Sequence, residues 1–180
     1  MPTTPTIIII PGAWHTPTHY TKLITALTAQ IQNVTAFAIS LPSLNSRPPL
    51  PLPKSWKEDA DAVRAAIIGE LDAGRDVIAL AHSYGGVVMG EAVKGLGKGK
   101  RVEDKLGTRS GGVVGLVYMC AMALPRGQTY VGQMVPVGAE EEEIERERNE
   151  YAAKKGGVRM TEDGAIVLSK DAVREVFYNR

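Results

Sequence analysis

Four apolar runs constrain the fold more than anything else in this chain: Ile7–Ile10, Val34–Ile39, Val77–Ala81 and Val113–Met119. They are rich in Val and Ile and do not alternate apolar with polar residues. Strands of that kind belong in a parallel sheet covered on both faces. Helical patterns stand between them. Thr16 is placed to cap a helix with Pro17 in its first turn, and Tyr20, Leu23, Ile24 and Leu27 recur at helical spacing. Ser55 and Glu58 form a capping-box pattern, followed by a stripe of Trp56, Ala60, Val63, Ile67 and Leu71 that Gly74 stops. Gly86 to Leu96 reads as a third helix. Strands alternating with helices imply right-handed crossovers and an α/β fold.

The segments between these elements read as solvated. Leu41 to Pro53 is rich in proline and is expected to be a surface loop; its Pro48 and Pro51 satisfy a PxxP spacing, but a stiff loop accounts for them. The Gly/Lys-rich stretch from Lys94 to Arg101 follows a helix rather than a strand and lacks phosphate-loop spacing, so it too reads as a solvated loop. Glu142 with Arg146, and Glu150 with Lys154, stand four apart and suit a solvent-facing helix.

Composition removes several classes of function. A net charge of +1 provides no bulk field toward nucleic acid or a membrane surface. The apolar run at Ile7–Ile10 ends at Pro11-Gly12 and is too short for a signal sequence or a membrane span. Cys120 is the single cysteine, which excludes an internal disulfide and suits a reducing compartment. The expectation is a cytoplasmic protein with no nucleic-acid or membrane partner. A dinucleotide-binding oxidoreductase would need G-x-G-x-x-G after the first strand, and PGAWHT offers one glycine. Gly85, Gly86 and Gly90 also miss that spacing and are expected to serve close packing of the third helix. No cofactor is expected, and three histidines without ligand spacing give no reason to expect a metal.

The chemistry concentrates in Ala81-His82-Ser83-Tyr84-Gly85-Gly86, which ends an apolar strand and opens a helix. A serine on so sharp a turn projects its hydroxyl clear of the sheet, and only small residues fit two positions either side. Ala81 and Gly85 occupy those positions; Ala81 stands where a glycine is usual, at some cost in crowding. The second motif, Pro11-Gly12-Ala13-Trp14-His15, follows the first strand directly. Acyl transfer needs two N–H groups aimed at the developing oxyanion. Tyr84, after the serine, and Ala13, on the first loop, are placed to supply them. With strand order 2-1-3-4, strands one and three are neighbours and both loops open into one crevice at their carboxyl ends.

These residues resemble the α/β-hydrolase superfamily, in the branch of small esterases, plant methylesterases, hydroxynitrile lyases and many fungal hydrolases. TIIIIPGAWHTPTHY and VIALAHSYGG are the specific matches; GGVVGLVYMCAMALPRG and REVFYNR support them. The resemblance implies a nucleophile at Ser83 and oxyanion donors at Tyr84 and Ala13. It implies residues 1–125 as the N-terminal half of the hydrolase core and 126–180 as the start of a cap. A small acyl substrate would meet Gly12, Trp14 and His15, with Tyr84 also shaping the pocket.

A serine hydroxyl needs a neighbouring base, and the family supplies it in the order serine, acid, histidine. The histidines here are His15, His19 and His82, none after Ser83, and neither Asp163 nor Asp171 matches the family's acid. The expectation is therefore a chain lacking the family's later acid and base. His82 should point away from Ser83 and pack or hydrogen-bond in the core; His15 should reach the mouth of the site, and His19 the surface. A chain of this extent would expose Val113–Met119 as an apolar edge and self-associate there. Two functions follow: a serine hydrolase of small esters or related acyl substrates, weakened in this form, or a non-catalytic ligand-binding module or truncated gene product lacking the catalytic histidine.

Overall fold

The computed structural model describes residues 4–44, 55–103, 111–125, 142, 146, 158–160 and 166–168. Two units divide the chain, Met1–Gly127 and Gln128–Arg180. In the first, four strands form one parallel sheet: β1 (Thr6–Ile10), β2 (Thr35–Ala38), β3 (Val77–His82) and β4 (Val113–Met119), in the order β2-β1-β3-β4. In the second, β5 (Val158–Met160) pairs antiparallel with β6 (Ile166–Leu168). Pro48, Pro51, Glu150, Lys154, Asp163 and Asp171 lie outside the described residues; Glu142 and Arg146 are both helical and exposed.

The two middle strands of the sheet are covered as the sequence requires, whereas β2 and β4 remain partly exposed. Every residue of β1 is buried, since β1 lies between two strands and beneath helices on both faces. On one face Ile8, Ile10, Val77, Ala79 and Ala81 pack with Val63, Ile67 and Leu71 of α2 (Lys57–Asp72) and Val88 and Met89 of α3 (Gly85–Ala92). On the other, Ile7, Ile9 and Leu80 pack with Tyr20 and with Leu23, Ile24 and Leu27 of α1 (Thr21–Gln30). Tyr20 closes a 3-10 turn, Pro17–Tyr20, where Thr16 N–H donates to His19 Nδ1 at 3.0 Å. The segment begun by Thr16 and Pro17 is thus a tight turn leading into α1.

Four expectations need correction. Trp56 is 41% exposed and caps α2 from outside the core; the buried face instead includes Asp59. Ser55 Oγ accepts from Lys57 N–H at 3.2 Å, while Glu58 N–H goes to the Ser55 carbonyl, so the capping hydroxyl acts one residue earlier than the box pattern implies. The loop expected from Leu41 begins with a fully buried leucine and a 3-10 turn, Pro42–Leu44. The stretch read as solvated, Lys94–Arg101, turns at Gly95 (φ +72°) and enters α4 (Lys98–Glu103). There Lys98, still exposed, pairs with Asp76 at 2.5 Å, and Arg101, which composition alone would leave in solvent, is buried and pairs with Asp72 at 2.9 Å.

β4 ends the sheet among the described strands, and its register shifts between Val77 and Ile78 of β3. The extra residue, Val114, is a bulge that resets which side chains face which way. Leu116 (44%) and Tyr118 (41%) emerge exposed, as does Val117 (43%) on the opposite face. No helix among the described residues is long and apolar enough to cross a membrane.

Candidate active site

The carboxyl ends of β1, β3 and β4 lie along one edge of the sheet, because the three strands are parallel neighbours. Backbone strain gathers there. Trp14 after β1, Ser83 after β3 and Cys120 after β4 have φ of +61°, +51° and +45°. Side-chain-bearing residues avoid that region, at a cost of order 1 kcal/mol or more each, and hold it where surrounding structure over-determines them. At Ser83 the cause is visible: β3 must end and α3 begin within two residues. Gly86 N–H donates back to the Ser83 carbonyl at 3.0 Å, and so does Met122 N–H at 3.1 Å.

Close packing explains the glycines around this turn. A Cβ on Gly85 would stand 2.4 Å from the Ile10 carbonyl oxygen, and one on Gly86 2.3 Å from that of Met122. A Cβ on Gly12 would stand 2.8 Å from His82 Nδ1 and 3.0 Å from Ser83 Cβ. The first loop and the serine turn therefore touch, as the topology requires. Gly90 departs from expectation: nothing lies within 4 Å of its added Cβ, so it has no packing role.

Gly12–His15 is a β-turn, with His15 N–H donating to the Gly12 carbonyl at 3.1 Å and the left-handed Trp14 at its third position. Among the described residues nothing accepts from the N–H of Ala13 or Tyr84, and the Ser83 hydroxyl has no partner. Gly12 is buried, Ala13 and His15 are half-buried, and Trp14 is 44% exposed, so Trp14 belongs to no core.

The three histidines sit close together. His15 and His82 meet edge-to-face with centroids 5.0 Å apart, and His15 and His19 at 5.1 Å. His15 Nδ1 lies 2.7 Å from the Ala13 carbonyl and must donate to it, since a carbonyl only accepts. His82 Nδ1 lies 2.9 Å from the Tyr20 hydroxyl. Each has its Nδ1 committed to a partner other than Ser83. His19 is exposed, as expected.

Sequence reasoning missed a second polar knot. Asp59 is fully buried; its Oδ1 accepts from Ser43 N–H at 2.9 Å, and its Oδ2 from Ser43 Oγ at 2.6 Å and from Tyr84 Oη at 2.8 Å. Burial, and then the Asp59 carboxylate, push the Tyr84 phenol well above its ordinary range. The Tyr84 ring packs against the cluster between sheet and α2, which corrects its placement as a wall of the substrate pocket. The available signal was spacing: Asp59, Val63 and Ile67 recur every four residues on one helix face.

The alpha/beta hydrolase family model matches residues 7–178. The chain belongs to the alpha/beta hydrolase family. It is 40% identical over 177 residues to an alpha/beta hydrolase, nvfD, of Aspergillus novofumigatus, covering 98% of this chain and 61% of that protein. It is 34% identical over 100 residues to the probable hydrolase R7 of a Phoma species, covering 56% of this chain and 40% of that one. The chain thus spans about three fifths or less of the length of these relatives. Among solved structures it superposes on an extracellular alpha/beta-hydrolase from a Paenibacillus species described as homologous to tobacco salicylic acid binding protein 2 (TM-score 0.59, 19% identity, 97% of this chain and 60% of that). It also superposes on ClbQ of the colibactin NRPS/PKS pathway (TM-score 0.52, 14% identity, 98% and 63%). At these identities both speak for the fold alone.

Proposed function

We propose that this hydrolase chain carries the nucleophile and oxyanion site of a serine esterase acting on a small ester or related acyl substrate. The observation that carries the reading is Ser83 at φ +51° on the β3–α3 turn, touching the loop after β1. In the reading, Ser83 Oγ bonds to the acyl carbon as its proton passes to water, and the carbonyl π pair moves onto oxygen. Collapse of that intermediate breaks the ester C–O bond and releases the alcohol. The oxygen that gains charge settles between the N–H groups of Ala13 and Tyr84, which nothing described engages. Gly12, Trp14 and His15 line the approach. The reading takes residues 126–180, most of which lie outside the described residues, as the start of the cap, and the single cysteine favours a cytosolic setting. A fluorophosphonate probe is expected to label Ser83, with Ser83→Ala abolishing both labelling and hydrolysis of a short-chain p-nitrophenyl ester. Equal labelling of the variant overturns the assignment.

One observation favours a second reading, a ligand-binding module without turnover. The nucleophile needs a base, and among the described residues no imidazole nitrogen is hydrogen-bonded to the Ser83 hydroxyl. That reading predicts saturable binding of an ester or acid, seen by calorimetry, in a chain the probe leaves unlabelled.

A further inference from the structure

The loop bearing Ala13 is tied to the serine turn by a chain of three groups. Gly12 N–H donates to the Tyr20 hydroxyl at 3.0 Å, and that hydroxyl lies 2.9 Å from His82 Nδ1. Tyr20 is buried, and burial holds its phenol above the ordinary value against the lowering effect of Gly12 N–H, so it keeps its proton. Its oxygen accepts from Gly12, and no other described residue accepts from it. The hydroxyl proton therefore points at His82 Nδ1. That nitrogen must be bare, which makes His82 a neutral imidazole with its proton on Nε2.

We infer that Tyr20 and His82 are positioning residues of this site, forming a clasp that fixes the Ala13 N–H beside Ser83 and holds only while His82 is neutral; the inference rests on the esterase reading above. The Ala13 N–H shares a rigid peptide plane with the Gly12 carbonyl. That carbonyl is held by His15 N–H, and the Gly12 N–H on the other side of its Cα by Tyr20. With both groups fixed, the direction of the Ala13 N–H is fixed. Gly12 has no Cβ to push the His82 ring away, and the ring occupies that space.

A proton on Nδ1 turns the acceptor into a donor. Two donors then face one phenol oxygen, and the phenol's own proton has no acceptor. The titratable groups facing His82 are Tyr20 from the 3-10 turn and His15 from the loop after β1; β4 contributes Met119 in register. Among the described residues no carboxylate, lysine or arginine pairs with it. Burial, then His15, lowers the His82 pKa from its ordinary 6.5. The clasp is therefore fully closed above that ordinary value. It weakens as pH falls below it and is open once pH drops under the lowered value of the folded chain.

The test uses the whole chain labelled with 15N, together with Tyr20→Phe and His82→Asn. Imidazole spectra at neutral pH are expected to show His82 with its proton on Nε2, titrating below the ordinary imidazole value, and Tyr20→Phe is expected to shift that signal. Fluorophosphonate labelling of Ser83 should slow about tenfold in Tyr20→Phe, the rate equivalent of one ordinary hydrogen bond. His82→Asn, whose amide oxygen can accept from the phenol without titrating, should keep the neutral-pH rate and lose the acid-side decline. His82 protonated on Nδ1 at neutral pH, or labelling indifferent to Tyr20→Phe, overturns the clasp. If the native chain is not labelled at all, the esterase reading fails, and the imidazole spectrum alone still decides the clasp.

Discussion

Glycines and one carboxylate do most to hold the serine turn, and their substitution should separate sharply. Gly85→Ala would drive a methyl to 2.4 Å from the Ile10 carbonyl, a contact that only backbone movement relieves. We expect it to cost about 1–3 kcal/mol, as other overpacked sites do. Gly90→Ala, in the same helix with open space around it, should instead gain up to ~1 kcal/mol from helix propensity. Thermal melts of the two variants should move in opposite directions; a matching shift would mean that the added methyl meets something else. Asp59→Ala strips the acceptor from Ser43 and from the Tyr84 phenol at once. Leaving buried donors unpaired should destabilise by about 1–3 kcal/mol in urea unfolding. Tyr84→Phe, which leaves Asp59 its two Ser43 donors, should cost less.

At the scale of elements, the strands were the most legible part of this chain and the helix details the least. β4 matches its apolar run at both ends, and the other three differ by a residue or so, because a continuous run of β-branched residues favours a strand even where, as in β4, much of it is exposed. Trp56 was assigned to the wrong side of α2 because large and apolar was taken to mean inside, whereas the small polar Asp59 had partners waiting. α4 was invisible because its anchors, Asp72 and Asp76, lie more than twenty residues upstream of the lysine and arginine they bind. The bulge at Val114 could not be read from sequence, yet it decides which apolar side chains β4 exposes. An edge of that character invites strand pairing between molecules. Leu116→Lys is expected to reduce self-association of the chain at micromolar concentration in analytical ultracentrifugation. A native chain that stays monomeric there would show the edge to be covered.

For the molecule as a whole, the candidate site was legible wherever chemistry and contact are local. Ser83, Gly85 and the Gly12-Ala13 pair announce themselves because a sharp turn restricts its own residues. Tyr20 was read only as one of an apolar stripe, since its hydroxyl's partner is 62 residues away, and Tyr84 was read as a pocket wall for the same reason. Such pairings follow from strand order, and only a folded sheet brings their ends together. The stretch leaving β4 shows what that arrangement entails. Met122 hands its N–H to the carbonyl of Ser83, while its own carbonyl is wedged against Gly86. A pull on the chain at Ala123 would thus arrive at the serine after a single link, with no slack to absorb it. Evolution or engineering that lengthens or redirects that exit strap alters the seat of the Ser83 hydroxyl without substituting any residue of the candidate site.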